Sequence, residues 1–246
     1  MMNFFYISLT ALSFSWFLTA KPNMIVIMCD DLGYADVGFN GCKDIPTPNI
    51  DSIAENGVRC SNGYVAYPVC GPSRAGFITG RYPQRFGFER NPQYKPNDPG
   101  MGLTRDEKTI PELIKPAGYH SGIIGKWHLG AHIPTSHPMK RGFDEFYGHL
   151  GGGHSYLPEK LTIQRSQDAK NESDSYRTWL LKNYQSVPPR KYLTDDFSDE
   201  AVAFIERNRD WSFFLFVSYN APHTPLEATN KYLKRFPEIK DGKRKT

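Results

Sequence analysis

At 246 residues, with a formal net charge of +4 and a pI near 8.7, the chain is long enough for one α/β domain with its own core, or for part of a larger one. Its 39% apolar and 23% charged residues are ordinary for a globular protein and exclude a low-complexity or disordered chain. The mild positive excess suits anionic substrates and excludes a nucleic-acid footprint, because much of it gathers in Lys240, Lys243, Arg244 and Lys245, a solvated tail.

The first twenty residues are a separate object. Phe4 to Leu18 is apolar and aromatic, short for a bilayer span, and ends in Leu18-Thr19-Ala20 ahead of Lys21-Pro22-Asn23. Residues 1–20 have the form of a cleaved secretory signal, with an uncleaved anchor as the other reading. A signal implies a secreted or periplasmic protein. No other segment is apolar enough to span a membrane, so no stable span is expected after signal removal. Cys29, Cys42, Cys60 and Cys70 are even in number, which in an oxidising compartment allows two disulfides, Cys60 with Cys70 among the options. Cys29, in an apolar run, is also a candidate buried free thiol.

Along the rest of the chain, Met24 to Cys29 is a continuous apolar run, read as a strand buried on both faces of a parallel sheet. It stops at Asp30-Asp31-Leu32-Gly33. Thr47-Pro48 opens a helix with an Ile50, Ile53, Ala54 stripe that Gly57 ends. A second short helix follows Pro72 through about Ile78, ended by Gly80. Residues 84–105 read as loop, and Pro111 to Lys115 as a short helix cut off by Pro116 and Gly118. Gly122 to Gly125 is a second core strand. From Trp127 to about Arg190 the chain reads mostly as loop, including Gly151-Gly152-Gly153, and a loop of that length suggests function. Thr194 is placed as the cap of a helix carrying Phe197, Ala201, Phe204 and Ile205 at helical spacing. Trp211 to Val217 is a third core strand running into Ser218-Tyr219-Asn220-Ala221-Pro222-His223. Strand–helix–strand alternation with buried strands indicates an α/β fold with a doubly wound, mostly parallel sheet. No internal repeat or heptad pattern is visible.

Each candidate strand ends in polar groups: Asp30 and Asp31, then Lys126 and His128, then His223. In open parallel sheets, ligands bind at the carboxyl ends of the strands. Adjacent aspartates repel unless a cation or hydrogen-bond donors neutralise them, and Ca²⁺ or Mg²⁺ is the usual cation; the alternative is a simple turn cap. Cys70 before Pro72 would lie in the positive field of a helix N-terminus, with Arg74 one turn further on. Either it is a reactive nucleophile or a structural cysteine. Lys126 and His128, two apart, share a side if their segment stays extended; Lys126 suits an anionic oxygen and His128 a proton transfer, while a surface lysine and a hydrogen-bonded histidine form the alternative. His223 sits in a loop stiffened by Pro222 and Pro225. The remaining histidines read as surface or loop residues, with His154 after the glycine run as the exception to watch. Tyr156 and Tyr176 are either stacking platforms for a sugar or aryl ring or packing residues.

Together, Cys70-Gly71-Pro72-Ser73-Arg74 with Thr79-Gly80-Arg81, Asp30-Asp31, Gly125-Lys126-Trp127-His128 and Pro222-His223 resemble the type I, formylglycine-dependent sulfatases of the alkaline phosphatase superfamily. Met139 to Asp144 and Phe146-Tyr147-Gly148 are similar to a stretch of bacterial arylsulfatase-like members. The resemblance runs from about Pro22 to Leu226 and makes 21–246 the N-terminal portion of a catalytic domain with an alkaline phosphatase-like sheet, incomplete at the C-terminus. It implies a sulfuric ester hydrolase that acts on a sulfated small molecule or glycan. Cys70, converted by a maturation enzyme to formylglycine, would be the nucleophile, and Asp30, Asp31 and the modified residue would hold one Ca²⁺. Arg74 would steady the hydrated aldehyde, Lys126 bind sulfate, His223 assist the leaving alcohol and His128 take the second hydroxyl's proton. Members also supply an Asp-Asn pair and a further lysine downstream, which these 246 residues lack, so a truncated form is expected. The alternatives are a phosphonate or phosphate ester hydrolase of the same superfamily, and an inactive domain that keeps the fold.

Overall fold

The computed structural model describes residues 21–95 and 98–246, so the expected signal segment, 1–20, lies outside the described residues. Six strands form one sheet: β1 (Met24–Asp30), β2 (His120–Lys126), β3 (Glu145–His149), β4 (Leu180–Lys182), β5 (Gln185–Val187) and β6 (Phe213–Pro222). Their order is β1-β6-β2-β3-β4-β5. The four strands from β1 to β3 run parallel, and β4 and β5 add an antiparallel edge. Around the sheet lie α1 (Pro48–Asn56), α2 (Cys70–Thr79), α3 (Ile110–Ile114), α4 (Glu172–Ser175) and α5 (Leu193–Asn208).

Alternation along β6 assigns the two faces of the sheet. Phe214 and Phe216 join Ile123 and the α2 residues Ala75 and Ile78 in one core. Phe213, Leu215 and Val217 join Ile124 and Tyr147 against Phe197, Ala201 and Phe204 of α5 in the other. Helices on both faces make the sheet doubly wound, as expected. Pro72 starts no new helix but sits in the first turn of α2, and Gly80, at φ +65°, ends that helix in the left-handed conformation glycine tolerates. Gly57 follows α1 in an extended conformation.

Three expectations are corrected. β1 is buried on one face only: Met24, Val26 and Met28 pack into the α2-side core, while Ile25 and Ile27 are 46% and 56% exposed. These two face an open groove of about 750 Å³ shared with Ile50 and Ile53 of α1, because among the described residues β1 is the edge of the sheet and no helix covers it there. The stretch 127–190 is mostly loop, as expected, with three short strands and α4 set into it. Strands of three to five residues are too short to show a hydrophobic period, and pairing with β2 and with each other defines them. Thr194 is inside α5, whose flanking residue is Tyr192; its carbonyl accepts from Ser198 Oγ at 2.7 Å. Trp211 is 69% exposed and precedes β6.

All four cysteines are free, so neither two disulfides nor a Cys60–Cys70 bridge forms. Among the described residues, no helix is long and apolar enough to cross a membrane.

Candidate active site

The carboxyl ends of β1, β2 and β6 meet at the start of α2, and the sequence-predicted residues gather there. Gly125, the next-to-last residue of β2, pairs with Ser218 of β6 and has φ +115°. A Cβ at this position would lie 1.9 Å from the Ser218 carbonyl oxygen. The two backbones therefore approach closely just where Lys126 leaves the sheet.

Lys126 and Arg74 are both buried and share one anion. The Lys126 ammonium pairs with Asp30 Oδ2, and Arg74 Nη2 lies 3.4 Å from the same oxygen. Arg74 Nη1 donates to the Lys126 carbonyl at 2.9 Å and to Ser218 Oγ, whose own hydroxyl donates to that carbonyl at 2.7 Å. Burial, then the neighbouring Arg74 charge, pulls the Lys126 pKa down, with Asp30 opposing. Burial likewise lowers Arg74, again against Asp30. Two desolvated cations on one carboxylate leave excess positive charge, which an incoming anion would neutralise.

Cys70 is the first residue of α2, beside these cations. Burial opposes ionisation of its thiol, but the bond from His223 and the Lys126 charge outweigh it, and the pKa falls below that of a free cysteine. His223 is shifted the other way, raised chiefly by its bond to Cys70. Its Nδ1 faces the Thr224 carbonyl at 2.5 Å, leaving Nε2, 3.7 Å from Asp31 Oδ2, for the site. Asp31 is exposed and takes a left-handed φ of +61°.

His128 departs from the extended segment the sequence suggests. Its φ is +59°, and its backbone N–H donates to the Leu150 carbonyl at 3.2 Å, so the chain turns after β2 and buries the ring. Burial, then Lys126, Arg74 and His223, holds its pKa well below the ordinary histidine value. The ring is therefore a neutral base near neutral pH. Gly152 backs it: a Cβ there would come within 2.7 Å of His128 Nε2. Part of the glycine run is thus explained by a histidine far away in sequence.

Several neighbours escaped sequence reasoning. Ser218 and Asn91 carry no motif signal, and only the fold brings them to Arg74 and Cys70. His149 and His154 are buried, contrary to the surface or loop reading given to His149. His149 pairs in register with Lys126, and the His154 ring nitrogens lie 2.7 and 2.6 Å from the carbonyls of Ser155 and Thr178. Tyr156 is a packing residue: it is buried, stacks on Tyr192 and donates its hydroxyl to the His223 carbonyl at 2.7 Å. Tyr176 stands at the rim with its ring 6.5 Å from that of His223.

As metal donors, Asp30 and Asp31 offer hard carboxylate oxygens of the kind Ca²⁺ takes. Among the described residues, no group of three or more His, Cys, Asp and Glu converges as a cluster that holds a metal ion. The donor chemistry fits; these two carboxylates and residue 70 form only part of a shell of about six to eight oxygens.

The sulfatase family profile matches residues 22–245. The chain belongs to the sulfatase family. This sulfatase-family chain is 37% identical over 227 residues to the N-acetylgalactosamine-6-sulfatase of Mus musculus, covering 86% of this chain and 42% of that protein. Arylsulfatase J of Mus musculus is 34% identical, over 90% of this chain and 36% of that protein. The crystal structure of Ps i-CgsB superposes with a TM-score of 0.84 at 49% identity, covering 92% of this chain and 50% of that one. The same protein has been solved in complex with k-i-k-neocarrahexaose. The sulfatase-family chain thus spans half or less of the length of these relatives.

Proposed function

We propose that these residues form the nucleophile-bearing part of a sulfuric ester hydrolase acting on a sulfated small molecule or glycan. The observation that carries this reading is Cys70 at a helix start, flanked by His223 and set beside the buried Arg74 and Lys126. Sulfatase-family membership and a solved neighbour in complex with k-i-k-neocarrahexaose support it. Residues 1–20 would be the secretory leader, making the protein secreted or periplasmic, with 21–246 the N-terminal portion of the catalytic domain.

In this reading a maturation enzyme converts Cys70 to formylglycine, and water adds across its aldehyde to give a diol. Lys126 binds the sulfate oxygens, and Arg74 steadies the diol. One hydroxyl gives up its proton to solvent and attacks sulfur, the bond from sulfur to the ester oxygen breaks, and His223, whose Nε2 faces the site, gives the leaving alcohol its proton. The sulfate is then bound covalently to residue 70. His128, neutral through burial, takes the proton of the second hydroxyl; the carbonyl re-forms as the carbon–oxygen bond to sulfate breaks, and sulfate leaves. Ca²⁺, held by Asp30, Asp31 and residue 70 with oxygens from elsewhere, would supply Lewis-acid polarisation of the sulfate.

Phosphate and phosphonate esters are near-isosteric with sulfate, and the cation pair suits them equally. Mass spectrometry of the tryptic peptide from Cys60 to Arg74, made in a host with the maturation enzyme, tests the central claim. The expected result is residue 70 as aldehyde or diol; finding it wholly as alkylatable thiol sinks the reading. Parallel assays with an aryl sulfate and an aryl phosphate decide the reaction, and faster phosphate turnover would overturn sulfate as the substrate class.

A further inference from the structure

Asn91 lies in the loop that follows Gly87, about twenty residues beyond Cys70, and no motif marks it. Its Oδ1 accepts the Gly71 backbone N–H at 2.8 Å, and its Nδ2 lies 3.6 Å from Cys70 Sγ, within the range of a hydrogen bond to sulfur. The first contact fixes the orientation of the amide, because an –NH₂ cannot face the Gly71 N–H; the donor end must therefore face residue 70. Pro92 stiffens the segment and restricts Asn91 to extended backbone. It also seats the loop on α2. A Cβ at Gly71 would lie 2.9 Å from Asn91 Oδ1, 3.1 Å from Pro92 Cδ and 3.4 Å from the His128 carbonyl. The glycine after the cysteine is thus required by the close approach of Asn91-Pro92.

We propose that Asn91 is a positioning residue for the nucleophile: its Oδ1 pins the first turn of α2, and its Nδ2 donates to the side-chain heteroatom of residue 70. This rests on the formylglycine reading for its chemical consequence. The Cys70 sulfur accepts from the Asn91 amide, and the His223 ring lies near enough to the thiol to lower its pKa. After conversion, water adds across the aldehyde to give two hydroxyl oxygens on the same carbon. Nδ2 then holds the oxygen on the Asn91 side and leaves the other oxygen for His223; the free aldehyde has one oxygen and can meet only one of these two partners, so the pair favours the hydrated form. Asn91 touches neither substrate nor leaving group in this scheme.

The test uses the whole chain, made with the maturation enzyme from cysteine isotope-labelled at its β-carbon. NMR then reads aldehyde and diol of residue 70 as separate resonances. The wild type should be mainly diol. Asn91→Ala should lower the diol-to-aldehyde ratio by about three- to tenfold, the range of one hydrogen bond. Asn91→Asp keeps an oxygen for Gly71 and accepts a diol hydroxyl, so its ratio should stay within about twofold of wild type. A loosened loop alters access to residue 70 but not this ratio, so an unchanged ratio in Asn91→Ala overturns the proposal. If the wild type shows only thiol, the formylglycine reading has failed on its own account. Hydrogen exchange then decides the anchoring: the Gly71 amide should exchange about tenfold faster in Asn91→Ala and stay protected in Asn91→Asp. Equal protection in all three proteins overturns the anchoring.

Discussion

At the scale of single residues, Asp30 is the counter-ion on which the site's charge balance turns. Its carboxylate lies against both Lys126 and Arg74, neither of which has water to fall back on. Asp30→Asn keeps the shape and removes the charge, leaving two buried cations with no anion. A loss of about 3 kcal/mol is expected from breaking such a pair, measured by urea unfolding. The lowered Lys126 pKa sets a second expectation: this lysine can shed its proton more easily than an exposed one. The double variant Asp30→Asn with Lys126→Met should therefore recover part of the loss. Equal stability of wild type and Asp30→Asn would show that the carboxylate does not balance the cations. The Asp30-Asp31 pair and the Lys126-His128 pair were legible in the sequence because acidic and basic residues at strand ends stand out against apolar runs. Ser218 and Asn91 were not, since a serine in a strand and an asparagine in a loop have many ordinary uses.

At the scale of elements, the ends of β2 and β6 show why the site is where it is. The Gly125 backbone runs against the Ser218 carbonyl, and Gly148 of β3 runs against Gly125 in turn, where a Cβ would lie 2.0 Å from the Gly125 carbonyl oxygen. Three strands thus converge more tightly at their carboxyl ends than side chains would allow. Gly125→Ala meets a backbone oxygen in a conformation that L-residues rarely adopt, so repacking cannot relieve it. A loss of about 3 kcal/mol or more is expected, read as a shift in the denaturation midpoint or as failure to fold. A midpoint equal to wild type would mean that the strands can separate without cost. Two glycines flank Ile123-Ile124 and weakened the strand signal in the sequence: Gly125 because close backbone packing and β-propensity make opposite demands on one position, and Gly122 because a Cβ there would lie 2.4 Å from the Phe204 ring.

At the scale of the molecule, burial of imidazoles sets the response to acid. Five of the seven histidines, His128, His132, His137, His149 and His154, have pKa values lowered by burial, and His137 falls to about 4. For these groups the unfolded chain binds protons first as pH falls through about 6.5. Their contribution is thus favourable above that pH and is lost progressively below it, down to the folded-state values. His223, raised by Cys70, acts in the opposite sense: its stabilisation is full below about 6.5 and fades as pH rises through its higher folded value. The five outweigh the one, so stability should fall steeply from pH 7 to pH 5, with each histidine adding up to about 1.4 kcal/mol per pH unit. His149, whose ring nitrogens have no hydrogen-bond partner among the described residues, is the clearest single contributor. His149→Leu should flatten the slope by about one proton in urea titrations at several pH values. An unchanged slope would remove His149 from the account.

The sequence by itself determined the alternation of strands and helices, the doubly wound sheet, the strand-end placement of Asp30, Lys126, His128 and His223, and the Cys70 to Arg81 signature. These are local properties: apolar runs, caps and motif spacing are written in neighbouring residues. Only the tertiary structure decided that Arg74 and Lys126 share one carboxylate, that His128 is buried and neutral, and that Asn91 reaches Cys70. It also decided that β1 leaves one apolar face open beside α1. Each of those depends on contacts between residues distant in sequence, where burial sets charge state and one backbone's approach dictates another's glycine. Neither composition nor periodicity carries that information.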